Sequence, residues 1–186
     1  MAVHEATHPG SFRYADLETF PDDHMRREII DGELIVTPSP STRHQRAVVL
    51  LTARLFAYAE SNGGEVFCAP LDVLFADDNV VEPDVLFVRS DHLDRLEVKF
   101  VHGVPDLVIE VSSPSTRHLE LVRKRELYAR FGVPEYWYVD LDADRIEVYL
   151  LGDGDFTAPT LTFPGQRLEA TQLPGFSVSV QEVLGL

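Results

Sequence analysis

Cysteine is nearly absent from this 186-residue chain. Cys68 stands alone, so no intrachain disulfide can form, and a reducing cytoplasm is the expected setting. Long apolar runs are missing too: no stretch reaches the ~18 residues that a membrane span needs. The opening from Met1 to Gly10 lacks the apolar run of a secretory leader, so none is expected. Basic residues are scarce, with 16 Lys+Arg against 31 Asp+Glu and a net charge of −15. That balance argues against a tight non-specific nucleic-acid binder, because phosphate neutralisation supplies most of such affinity. A local basic face or a bound divalent cation can serve instead. No repeat, low-complexity tract or Pro/Gly-rich linker divides the chain. One domain over residues 1–186 is expected, with 1–12 as a flexible tail. The 45% hydrophobic and 25% charged content suits a soluble globular protein.

What is present alternates between strand and helix signals. A short helix is expected over residues 13–20. Asp31-Gly32 between the runs Arg27–Ile30 and Glu33–Val36 predicts a hairpin, because a type I′ turn needs positive φ at both central positions. Pro38 and Pro40 end it. The strongest helix spans Arg43 to Ser61, with Thr42 and Gln45 as a capping box. Its buried stripe is Val48, Leu51, Leu55 and Tyr58, and Asn62-Gly63-Gly64 stops it. Two strands, Glu65–Phe75 and Val81–Val88, and a helical or irregular stretch over Asp91–Val98 come next. A strand from Asp106 to Ser112 leads through Ser113-Pro114-Ser115-Thr116 into a helix from Arg117 to Phe131. Strands Tyr136–Asp140 and Arg145–Leu151 pair across Asp142-Ala143-Asp144, and the tail is irregular. The order implies an α+β fold, a mixed sheet with helices on its faces.

Two acids stand out. Asp84 follows Pro83 at the head of the strand Val85–Val88. Glu110 lies inside Leu107-Val108-Ile109-Glu110-Val111, where an unpaired buried charge is costly. Side chains alternate along a strand, so Asp106, Val108, Glu110 and Ser112 share one face. If the strands are neighbours, Asp84 and Glu110 point into one cleft, where a divalent cation such as Mg²⁺ relieves their repulsion. Each acid alone is equally readable as a turn cap or a structural ion pair. Lys124 is the third element. With Leu121, Tyr128 and Phe131 it lies on a stripe that should dock on the sheet, so it either snorkels at the rim or delivers an ammonium beside the acids.

Pro83-Asp84, the run from Asp106 to Thr116, Lys124 with Tyr128, and Gly132-Val133-Pro134-Glu135-Tyr136-Trp137 together closely resemble the Uma-two family. Its members are bacterial restriction-endonuclease-like proteins counted within the PD-(D/E)XK nuclease superfamily. The likeness runs from about Glu28 to Phe176. It implies a restriction-endonuclease-like core with an N-terminal β-hairpin extension. It also implies a Mg²⁺ (or Mn²⁺) site held by Asp84, Glu110 and the Val111 carbonyl. The superfamily usually places its lysine two residues after the second acid, where this chain has Ser112. The family resembles a variant with that lysine moved to the following helix, as Lys124. An acid four residues before the lysine is here Glu120 rather than aspartate.

His44 occupies a position where the family tends to have histidine, in a helix first turn suited to phosphate. Glu28 resembles a family position before the hairpin and is a candidate for helping the metal or its water. An exposed histidine and an ordinary strand-edge glutamate are the plain alternatives. Asp72 reads as structural, with a place facing the same cleft as the alternative. Trp137, Tyr136 and Tyr138 read as core. The helix carrying Arg117, Arg123, Lys124, Arg125 and Arg130 is the basic element, either a phosphate-facing surface or a solvated face. The expected activity is metal-dependent hydrolysis of phosphodiester bonds, with DNA as the expected nucleic-acid partner and no membrane partner. The alternatives are a non-catalytic nucleic-acid-binding or regulatory module and a hydrolase of a small phosphorylated metabolite. A homodimer, packed through Leu173-Pro174-Gly175-Phe176, is a further expectation.

Overall fold

A computed structural model of the chain describes residues 4–5, 12–21, 23, 25–37, 39–113 and 119–186. In chain order the elements are β1 (His4–Glu5), α1 (Tyr14–Leu17), β2 (Arg26–Ile30), β3 (Glu33–Thr37), α2 (Thr42–Asn62), β4 (Glu65–Cys68), β5 (Asp72–Ala76), β6 (Asn79–Val81) and β7 (Val85–Val88). A 3₁₀ turn (Ser90–Arg95), β8 (Phe100–His102), β9 (Leu107–Val111), a π-helical turn (Leu119–Lys124), α3 (Arg125–Phe131), β10 (Glu135–Asp140) and β11 (Arg145–Gly152) follow. The chain closes with β12 (Asp155–Phe156), β13 (Thr160–Thr162), β14 (Arg167–Glu169), β15 (Ser177–Ser179) and α4 (Val180–Leu184).

The predicted hairpin forms. β2 and β3 pair antiparallel across Asp31 (φ 53°) and Gly32 (φ 74°), the left-handed geometry such a turn requires. β2 continues through β6 and β5 to β8, so the hairpin belongs to a sheet ordered β1-β3-β2-β6-β5-β8. The expected tail, 1–12, falls mostly outside the described residues, but β1 within it pairs with β3. The central sheet runs β12-β11-β10-β9-β7-β4, with β13 also on β11. It is mixed: β9 and β10 are parallel, while β7 and β9, β4 and β7, and β10 and β11 are antiparallel.

Alternation along the central strands sorts side chains onto two faces. Val85, Phe87, Ile109, Val111, Trp137 and Val139 pack against Leu51 and Leu55 of α2 and against the C-terminal segment. Leu86, Val88, Val108, Tyr136 and Tyr138 pack against Leu127 and Tyr128 of α3, and against Ile30, Ile35, Val73 and Val81 of the first sheet. The seam between the two sheets and α3 is where the charged residues gather.

Several boundaries differ from expectation. Ser41, not Thr42, caps α2, its hydroxyl accepting the His44 N–H at 3.2 Å. The single strand expected over Glu65–Phe75 splits into β4 and β5, and Val81–Val88 splits at Pro83, because proline has no N–H to give a ladder. Arg117, the expected start of the next helix, lies outside the described residues; from Leu119 the chain runs through the π turn and becomes regular at Arg125. The C-terminal segment is packed rather than irregular: Leu173, Phe176, Val178, Val180 and Val183 are buried in the α2 core. Leu173 and Phe176 are thus occupied within this chain and offer no free partner face. Trp137, Tyr136 and Tyr138 are core, as read from the sequence.

Candidate active site

The register of β7 against β9 sets the first relationship. Val85 pairs with Ile109, and continuing that antiparallel register one residue places Asp84 opposite Glu110 on the α3-facing side. Asp84 also ties itself to the partner strand, its Oδ2 accepting the Val111 N–H at 2.7 Å. Glu110 is fully buried and Asp84 nearly so.

The π turn leads into α3 with Lys124 pointing at the sheet. Its Nζ lies 2.9 Å from Glu110 Oε1 and 2.7 Å from Glu28 Oε1, and Lys124 is 2% exposed. Tyr128, one turn on, donates its hydroxyl to the same Glu110 oxygen at 2.6 Å. The i,i+4 spacing delivers both groups to one carboxylate. Glu28 comes from β2 and accepts the Glu82 N–H at 2.7 Å, which links the first sheet to the segment leading into Asp84. His44, at the start of α2, brings Nε2 to 3.5 Å from Asp84 Oδ1. Asp84, Glu110, Lys124, Glu28 and His44, named from five separate stretches of sequence, therefore form one buried network.

One member was not foreseen. Arg26, at the head of β2, places Nη1 2.8 Å from Asp84 Oδ1. No local signal distinguishes Arg26 from Arg27, whose guanidinium pairs instead with Asp23. Only alternation relative to Glu28 hints that Arg26 shares its face.

Charge balance within the network sets the protonation states. Burial pushes the Asp84 carboxyl upward, but Arg26, His44 and Lys124 outweigh it and hold that carboxyl well below the usual carboxylate range. Burial raises Glu110 against the pull of Lys124, with Asp84 adding to the rise. Burial lowers Lys124, and Glu110 with Glu28 more than reverse this, so it stays an ammonium. Burial and the Glu110 charge push Tyr128 far above its ordinary value, so it remains a donor. At the periphery, burial takes Glu82 up to about 7, and burial with the Glu28 charge takes Asp72 up to about 6.

The network opens into a cavity of about 800 Å³ lined by Arg26, His44, Glu82 and Asp84 at its polar end. Val48, Val49, Phe56, Val66 and Pro70 make its apolar walls, and exposed Val49 and Phe56 show that it is open to solvent. Glu110 and Lys124 sit behind this surface.

The fit to a divalent cation rests on oxygen donors. Glu110 Oε2 is buried with no hydrogen-bond partner among the described residues. Such an orphaned acceptor beside Asp84 suits a hard cation, which takes carboxylate and carbonyl oxygens. Among the described residues no three His, Cys, Asp or Glu side chains converge so as to hold an ion by themselves.

Other expectations are placed elsewhere. Arg123 pairs with Glu33 and Arg130 with Asp31, both at 2.6 Å, and Arg125 lies over the Tyr149 ring. Arg123 and Arg130 are thus engaged by the hairpin and Arg125 by β11, while Arg117 and the Glu120 side chain lie outside the described residues. Asp106, on the Glu110 face by alternation, is drawn away to His92 Nδ1 at 2.8 Å and the Arg89 N–H. Ser112, where the superfamily would place a lysine, accepts the Leu141 N–H at 2.9 Å.

No curated protein sequence matches the chain. Its fold matches the 1.96 Å crystal structure of "a putative nuclease belonging to DUF820" from Anabaena variabilis ATCC 29413, with a TM-score of 0.78 at 16% identity, covering 94% of this chain and 98% of that one. That likeness shows a restriction-endonuclease-like fold. A family profile described as "Putative restriction endonuclease" matches residues 13–181, and the chain belongs to this family, Uma2.

Proposed function

We propose that this protein is a divalent-cation-dependent nuclease acting on DNA. The observation that carries the reading is the meeting of Asp84, Glu110 and Lys124, each from a different element, in one buried cluster at the end of an open cavity. Asp84, Glu110 and the Val111 carbonyl would hold Mg²⁺ or Mn²⁺. When bound, the cation supplies positive charge to the phosphate and acidifies a neighbouring water.

The residues of the chain supply the rest. Lys124, kept charged by two glutamates, holds Glu110 in place and would lend its positive charge to the site from behind the cavity wall. Tyr128 fixes the Glu110 rotamer, leaving Oε2 as its free donor atom. Glu28 anchors Lys124 and the segment entering Asp84. His44 faces the cavity beside Asp84, within reach of a phosphate. The cation requirement also suits the acidic chain, because a bound dication offsets the repulsion that a net charge of −15 presents to a polyanion.

Supercoiled plasmid incubated with the protein and Mg²⁺ or Mn²⁺ should be nicked or linearised, and EDTA should stop the reaction. Cleavage that persists in both Asp84→Ala and Glu110→Ala sinks the reading. The Arg26–Asp84 contact favours one rival, a non-catalytic module in which the ions serve structure. Absence of Mn²⁺ binding by calorimetry, together with a clear loss of stability in Asp84→Asn, would select that rival.

A further inference from the structure

We propose that Arg26 is a movable counter-charge: it neutralises Asp84 in the ion-free protein, yields to the divalent cation, and then binds a substrate phosphate in the cavity. The proposal rests on the nuclease reading and assigns that site a gate and a phosphate-binding residue.

Arg26 differs from its neighbours in exposure. Its side chain is 23% exposed, whereas those of Asp84, Glu110, Lys124 and Glu28 are at most 3%. It sits at the first position of β2, paired with Thr37, so its long side chain is anchored at one end only. The contact with Asp84 is a single one, Nη1 to Oδ1 at 2.8 Å. Nε lies 3.9 Å from Glu28 and from Glu82, beyond hydrogen-bond reach. Nε and Nη2 are buried with no hydrogen-bond partner among the described residues. A guanidinium is a planar fork of donors suited to two parallel bonds with carboxylate or phosphate. A purely structural arginine would spend that fork, and this one leaves most of it unspent.

Charge explains why it must move. Glu28, Asp84 and Glu110 set three carboxyl groups against two cations, Lys124 and Arg26. A dication held by Asp84 would meet the guanidinium at that carboxylate, where like charges repel. Lys124 is enclosed and cannot leave. Arg26 lines the cavity and can swing into it. There its free fork would face the anion that the cation draws in. The acidic chain thus gains a phosphate-binding arginine only when the ion is loaded.

The test uses the full-length chain, Mn²⁺ titration calorimetry, and binding of a fluorescent DNA duplex in Ca²⁺. In Arg26→Gln, Mn²⁺ should bind about tenfold more tightly, because the competing cation is gone. Duplex affinity in Ca²⁺ should fall by about tenfold, because the fork is lost. Arg26→Lys keeps the charge without the fork, and serves if the glutamine variant fails to fold. It should keep wild-type Mn²⁺ affinity and still lose duplex affinity. Unchanged or weaker Mn²⁺ binding in folded Arg26→Gln, or wild-type duplex binding in either variant, overturns the proposal while leaving the nuclease reading intact. No Mn²⁺ binding by the wild type overturns both.

Discussion

Asp84 accepts the backbone N–H of Val111 at 2.7 Å, so the carboxylate before one strand is fastened to the residue after Glu110 on the next. This bond locates the first acid relative to the second without using the oxygen that faces Arg26. Asp84→Asn retains an acceptor for Val111 but gives up the charge. Asp84→Ala loses both and leaves Arg26 partnerless. Urea denaturation should show the alanine variant less stable by about 3–5 kcal/mol, the cost of an uncompensated buried charge. The asparagine variant should lose clearly less. Equal losses would mean the Val111 bond contributes nothing.

Lys124 compensates two buried glutamates at once. Lys124→Met should therefore lower stability by about 3–5 kcal/mol. Adding Glu28→Gln removes one of the stranded charges and should restore part of that loss without restoring plasmid cleavage. A double variant no more stable than Lys124→Met would show that Glu28 and Lys124 are not coupled.

Tyr128 donates to Glu110 at 2.6 Å, and its hydroxyl has no other role in the network. Tyr128→Phe should cost about 1.5–3 kcal/mol, the range for a hydrogen bond to a charged group. Because Glu110 then loses one of its restraints, Mn²⁺ affinity should also fall in calorimetry. A stability loss with unchanged Mn²⁺ affinity would mean that Lys124 alone orients the carboxylate.

Glu82 should give the ion-free protein a measurable pH dependence. Its folded value, about 7, stands above its unfolded one, so the unfolded chain releases the proton first as pH rises. Stability therefore declines from about pH 4 toward neutrality, by on the order of 3 kcal/mol from this group. Asp84 works in the opposite sense: its contribution is complete above about pH 4 and is lost only as pH falls below that. Thermal melts in EDTA at pH 5 and pH 8 should show the wild type more stable at the lower pH, and Glu82→Gln should flatten the difference. A Glu82→Gln profile that parallels the wild type rules the assignment out.

The peripheral ion pairs should matter far less. Arg130 and Asp31 meet at 2.6 Å, but both side chains are about half exposed. Arg130→Ala should shift stability by no more than about 1 kcal/mol and should weaken further in its effect as salt rises. A multi-kcal loss would show that docking α3 on the hairpin depends on this pair.

Local chemistry made much of this protein readable in advance. Asp31-Gly32 could only serve a tight turn, and the spacing of Val48, Leu51 and Leu55 could only suit one buried helix face. Glu110 and Lys124 drew notice because each is a charge inside an apolar pattern, where burial is costly without a partner. Those features depend on residues a few positions apart, so sequence by itself determined them. Arg26 was different. Apart from its alternation with Glu28, nothing near it separates it from Arg27, and its role exists only because the first sheet packs its face toward the seam beside α3. The centrality of Glu28 and the burial of Leu173 and Phe176 share that origin. Which charges face one another is decided by strand register and by the packing of one layer on another. Those relations join residues dozens of positions apart, and only the tertiary structure brings them together.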